Sequence, residues 1–148
     1  MNIRGFSYNM YNPNIADLIF IDNNKGKKFK IFVYNFLKTE FNRGDIFDNS
    51  ECYCFGERIT KSNYDLYDLG EYPIMSDLEP SSYPVKGDLY EVDAEVLLKL
   101  DKIHHICNRV EIELSDGTLC ESYIASLRLN DKKVQPNEDN NLSWRAKR

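Results

Sequence analysis

Long apolar runs are missing from this 148-residue chain. Stretches such as "LIFI" (18–21) and "IFVY" (31–34) fall far short of the roughly 20 residues that a membrane-spanning helix needs. The first residues also lack a basic region followed by an apolar core, so no secretory signal is legible and a cytoplasmic location is expected. Concentrated positive charge is absent too. The formal net charge is -5, which argues against a nucleic-acid partner, because binding phosphates requires clustered Lys and Arg. Basic residues gather only at 25–30 and in the final "WRAKR", which read as a turn and a solvated tail. There is no GxxxxGK phosphate loop, no GxGxxG, no HExxH and no GxSxG elbow, and so no motif-borne nucleotide, zinc-protease or serine-hydrolase chemistry. Cysteine is sparse, with four in all (Cys52, Cys54, Cys107 and Cys120), and these are expected to be reduced thiols. Cys52 and Cys54 are two apart, which puts them on one face of a strand. That spacing is wrong for the CxxC arms of zinc sites, so neither a metal nor another cofactor is expected. Histidine is rarest in its placement: the only two, His104 and His105, are adjacent.

What is present is ordinary globular material, 42% hydrophobic and 29% charged residues, in a length that suits one domain with a real core. Residues 1–28 read as an N-terminal arm and a first strand, "ADLIFI" (16–21), with "DNNKGKK" as a turn before a second strand, "FKIFVY" (29–34). "ECYCFGERIT" alternates as a strand, "SNYDLYDLGEYPIM" carries short extended pieces, and "YPVKGDLYEVD" is another strand. Asp93 is placed to cap a helix through "AEVLLKLDKIH", whose buried stripe is Val96, Leu97, Leu100 and Ile103. His104 continues that stripe, four residues after Leu100. His105 is turned about 100° away, four residues after Asp101, which is placed to hold its imidazole. An Asp-Gly turn then joins two strands in "NRVEIELSDGTLCESYIASL". Residues 129–148 read as a polar, poorly ordered tail in which Trp144 alone is a candidate to dock. The expected class is α+β, a small mixed β-barrel with flanking helices.

A series of phrases recurs in a particular order: "IFVYNFLK" (31–38), Asn42, "YDLYDLGEYPIM" (64–75), "VKGDLYEVDAEVLLKLDKI" (85–103) and "RVEIELSDG" (109–117). Over about residues 29 to 126, within a domain expected to span 29–128, this resembles the γ-glutamylcyclotransferase-like family, and most of all its γ-glutamylamine cyclotransferase branch. The resemblance implies a chemistry in which the α-amino group of a γ-glutamyl substrate attacks its own γ-amide carbonyl. That step gives 5-oxoproline and releases an amine. Backbone N–H groups of a Tyr-Gly-x-Leu loop would steady the oxyanion, and a glutamate after Leu-Asp-x-x would carry the proton.

Each part is altered here. Tyr34 and Leu37 keep their places, but the loop glycine is Asn35 and the next residue is the bulky Phe36. Asparagine tolerates positive φ better than most residues, yet it brings a side chain where glycine leaves space. The family's glutamate position falls on His104. The loop that follows is shortened to "HHICNR" and lacks the usual tyrosine before Arg109, which remains. The resemblance therefore implies a ligand-contacting set of Tyr34, Asn35, Phe36, Leu37, Asn42, Tyr72 and Arg109, with His104 at the catalytic position. The favoured expectation is a cyclotransferase-fold protein without the standard activity. It would bind a small molecule (γ-glutamyl-like or another anionic metabolite) or a protein partner through the former pocket. An active γ-glutamylamine cyclotransferase using His104 as general base is one alternative. A phage or mobile-element accessory protein that engages a host factor is another. Glu111 and Glu113, on one strand face, and the tyrosine-rich middle are expected to be an exposed face and packing, respectively.

Overall fold

The computed structural model describes residues 13–34, 52–70, 72–78, 81 and 83–144. The first element among the described residues corrects an expectation. Residues Ile15–Asn23 form a helix, α1, where a strand was expected at 16–21. The Asn14 side chain accepts the Asp17 N–H at 2.8 Å, and the Asp17 carboxylate accepts the Asn14 N–H at 3.3 Å. This reciprocal cap satisfies donors that a helix start leaves open. A continuous apolar run has no period with which to choose between helix and strand. The cap chooses helix. Asp17 also pairs with Lys102 at 3.5 Å, which ties α1 to a later helix.

Among the described residues seven strands follow: β1 (Phe29–Val33), β2 (Tyr53–Ile59), β3 (Asp65–Asp68), β4 (Pro73–Ser76), β5 (Lys86–Val92), β6 (Asn108–Glu113) and β7 (Leu119–Ala125). A further described helix, α2 (Ala94–Ile103), lies between β5 and β6. The sheet runs β2-β5-β1-β7-β4-β3, with β6 also paired to β7. It is mixed, because β1 and β4 both run parallel to β7 while the other pairs are antiparallel. The sheet curls until the ends of β2 and β6 meet. Thr60 bridges Leu114, Ser115 N–H donates to the Ile59 carbonyl at 2.8 Å, and Arg58 pairs with Asp116 at 3.1 Å. The result is the α+β half-barrel that the strand pattern implied.

Ile31, Phe32 and Val33 on β1 are all essentially inaccessible, so this central strand is covered on both faces. Val96, Leu97 and Leu100 of α2 join the same core, as their helical spacing demanded. The C-terminal segment corrects a second expectation, since it packs rather than trailing away. Val134 N–H donates to the Leu66 carbonyl, and Leu142 exchanges backbone bonds with Pro84 and Lys86, each at 2.8 Å. The Trp144 ring is 6% exposed, and its Nε1–H donates to Asp68 Oδ1 at 3.0 Å. Three separated apolar residues hold this strap, which is too few for a periodic signal. Among the described residues no helix is long and apolar enough to cross a membrane.

Candidate functional site

The site is built where α2 ends. Asp93 starts the helix by accepting the Val96 N–H at 2.9 Å, and Lys102 in the last turn suits the helix dipole. His104 closes it, its N–H donating to the Leu100 carbonyl at 3.0 Å. The Cys107 N–H then donates to the His104 carbonyl at 2.9 Å, and the chain turns into β6. The His104 side chain is 7% exposed, on the inward face its spacing indicated. Its Nδ1 lies 2.8 Å from the Leu100 carbonyl, which can only accept, so Nδ1 carries the hydrogen. The imidazole stacks on Tyr123 with ring centroids 4.1 Å apart and planes within 4°. Burial drives its pKa down to about 4, against the opposing pull of the Leu100 carbonyl and Asp101.

Tyr123 organises this corner. Its hydroxyl donates to Asp101 Oδ1 at 2.6 Å, and its carbonyl accepts from the Tyr34 hydroxyl at 2.7 Å. Asp101 also receives Arg109 through Nε at 2.9 Å and Nη2 at 3.3 Å, while Arg109 Nη1 reaches Glu121 at 2.5 Å. Burial works against the Arg109 charge, yet the two carboxylates outweigh it and raise its pKa. Asp101 is thus committed to Arg109 and Tyr123, not to His105 as the helix spacing suggested. His105 is exposed. An i,i+4 partner on a helix loses to a guanidinium that can bind two oxygens at once.

Tyr34 sits at the end of β1, buried, and its hydroxyl also accepts the Met75 N–H at 3.1 Å. The Cys107 thiol is hydrogen-bonded to the same phenol, and burial pushes that thiol up to about 11. Tyr72, Ile103, His104 and Cys107 enclose only about 10 Å³, near the limit for a single water. Tyr34, Tyr72 and His104 are therefore brought together, and Arg109 joins them through Tyr123. Asn35, Phe36, Leu37 and Asn42 lie outside the described residues, so the opposite wall of the expected pocket does too. Glu113 pairs with Lys61 at 3.5 Å and Glu111 is exposed, while Tyr64 and Tyr67 are buried packing. Among the described residues no three His, Cys, Asp or Glu side chains are grouped to hold a metal.

Sequence reasoning missed Asp101's partners and Tyr123 altogether. A signal existed for Tyr123: the turn at Asp116–Gly117 pairs Glu113 with Leu119, and counting back along the ladder sets Arg109 opposite Tyr123.

The same elements recur in known proteins. The model of the γ-glutamyl cyclotransferase, AIG2-like, family matches residues 31–146. The chain belongs to that family. An AIG2-like protein of Mus musculus shares the fold at a TM-score of 0.63 and 19% identity, covering 82% of this chain and 99% of that one. A uropathogenic Escherichia coli-specific protein gives 0.63 and 14%, covering 78% and 92%. An uncharacterized protein of Pyrococcus horikoshii gives 0.58 and 19%, covering 72% and 85%. At these identities the likeness is one of fold. No curated protein matches the chain.

Proposed function

We propose that this family member does not perform the standard cyclisation and instead holds a small amino-bearing metabolite beside the closed space at His104, against the part-exposed cluster of Asp101, Arg109 and Glu121. The observation that carries the reading is the burial of position 104. Desolvation penalises whichever protonation state is charged. A carboxyl placed there is pushed up towards neutrality, where a proton carrier is most effective. An imidazole placed there is pushed down, to about 4 for His104, and is a feeble base at neutral pH. One substitution thus converts a well-tuned group into a mistuned one. Asp101 and Glu121 outnumber Arg109 in the adjoining corner, which suits the ammonium end of a ligand better than a carboxylate.

The competing reading, an active enzyme with His104 as base, draws support from the Nδ1 bond to Leu100, which fixes one tautomer. Its depressed pKa weighs against it. The two separate cleanly in an assay of the purified protein with γ-glutamyl-amines and γ-glutamyl dipeptides. The expected result is no 5-oxoproline from the natural sequence, but a ligand-induced rise in melting temperature. Turnover should appear in His104→Glu or in His104→Glu with Asn35→Gly. Product formed by the natural sequence and abolished by His104→Ala would overturn the proposal.

A further inference from the structure

Two thiols have no part in the site above. Cys52 immediately precedes β2 and Cys54 lies within it, on the strand that begins the sheet order. The register sets Cys54 opposite Tyr90 of β5 and Tyr53 opposite Glu91, so alternation returns Cys52 to the face of Cys54 and Tyr90. Cys54 is exposed and Cys52 half-buried. Tyr90, paired with Cys54 across the two strands, has its hydroxyl within electrostatic reach of both thiols. A bulge follows directly, with Gly56 at φ 99°, and it ends the regular alternation just past the pair.

The spacing decides what two such thiols can do. Residues two apart on a strand have Cα atoms separated by about 6.6 Å, and their Cβ atoms stand well beyond the roughly 3.8 Å of a disulfide. Direct oxidation to a disulfide would need the strand to buckle. A cation bridging two thiolates needs sulfurs roughly 4.5 Å apart, twice a metal–thiolate bond of about 2.3 Å, and two side chains whose rotamers lean towards each other along the strand span that without backbone movement. Zinc asks for four ligands, and no group of three is present among the described residues. A soft cation content with two thiolates meets the available donors. Cys107 is engaged with Tyr34 and Cys120 is buried, so neither competes.

We propose that Cys52 and Cys54 form a two-coordinate site for a soft monovalent cation of the Cu(I) type, with the Tyr90 hydroxyl donating to the Cys54 thiolate. Binding replaces two S–H protons by one cation. The product is a bis-thiolate of charge -1 and two protons are released. The phenol donor stabilises that negative charge in the way outer hydrogen bonds tune metal ligands.

The test is an anaerobic titration of the full chain with Cu(I) in competition with the chromophoric chelator bicinchoninate. The expected result is one equivalent retained by the natural sequence and by Cys107→Ser. It should be lost in Cys52→Ser and in Cys54→Ser, each with an unchanged far-UV circular dichroism spectrum. Tyr90→Phe should keep the stoichiometry and weaken binding by about tenfold. No retained equivalent, or one that survives either Cys52→Ser or Cys54→Ser, would overturn the proposal. X-ray absorption of the complex should show two sulfur neighbours, and a shell of nitrogen or oxygen instead would overturn it equally.

Discussion

Lowering the pH should destabilise this protein through His104 in particular, and the size of the effect follows from its burial. The folded-state pKa is about 4, against 6.5 for an ordinary histidine. Between those values the unfolded chain binds a proton that the folded one refuses. Stability therefore rises with pH across the window and is fully present above about pH 6.5. It is lost progressively as the pH falls towards 4. At about 1.4 kcal/mol per pKa unit, the contribution falls by about 1.4 kcal/mol at pH 5.5 and by about 2.5 kcal/mol at pH 4.5, relative to pH 7.5. Carboxylates titrate in the same range, so the measurement is a difference. Urea midpoints at the three pH values are compared between the natural sequence and His104→Asn, whose amide nitrogen matches the place of Nδ1, the atom that faces the Leu100 carbonyl. The natural sequence should lose about 2.5 kcal/mol more than the variant at the lowest pH. Parallel curves would refute the reasoning. So would a His104 ring proton seen by NMR to titrate near 6.5, because that would mean the imidazole is hydrated.

Gly87→Ala should cost about 3 kcal/mol in urea denaturation. The new methyl would collide with the Val33 carbonyl and lie 2.8 Å from the Phe32 ring, both in the fully covered central strand; a loss under about 0.5 kcal/mol would show that β1 can retreat. Trp144→Ala should lower stability by about 3 kcal/mol, as for other buried aromatic truncations, and intact protein should show the blue-shifted fluorescence of a tryptophan shielded from water. Emission typical of a solvated indole would mean that the strap at 133–144 does not hold the core.

The elements legible in the sequence were those with a period or a turn chemistry of their own. Val96, Leu97 and Leu100 recur at helical spacing behind a capping Asp93, and the Asp116–Gly117 turn announced β6 and β7. Residues 16–21 misled because an unbroken apolar run fits both helix and strand, and Asn14 with Asp17 decides between them from outside it. The strap was hidden for a related reason. Val134 and Trp144 dock on β3 and Leu142 on the start of β5, so their contribution exists only once both strands are in place. Asp101 shows the same limit on a smaller scale. Helix spacing offered it His105, but the hairpin brings Arg109 and Tyr123 across the sheet, and the two-oxygen contact with Arg109 takes precedence.

Position 104 carries that limit into function. As a letter, histidine is the side chain best suited to move protons near neutral pH, and it stands at the end of an amphipathic helix beside Asp101. Composition and spacing alone would have made it a stronger base than glutamate. The shell around the ring reverses that order: the Tyr123 face at 4.1 Å, the Leu100 carbonyl and the near absence of solvent. The environment acts on both residue types with the same free energy penalty on charge, but the penalty has opposite chemical consequences. It tunes an acid upward into the useful range and drives a base downward out of it. On the proposed reading of position 104 as the proton-transfer position, the change there is therefore not judged by whether the newcomer can titrate. It is judged by the sign of its charged form, and here the charged form is a cation in a place that exacts a cost for any charge at all.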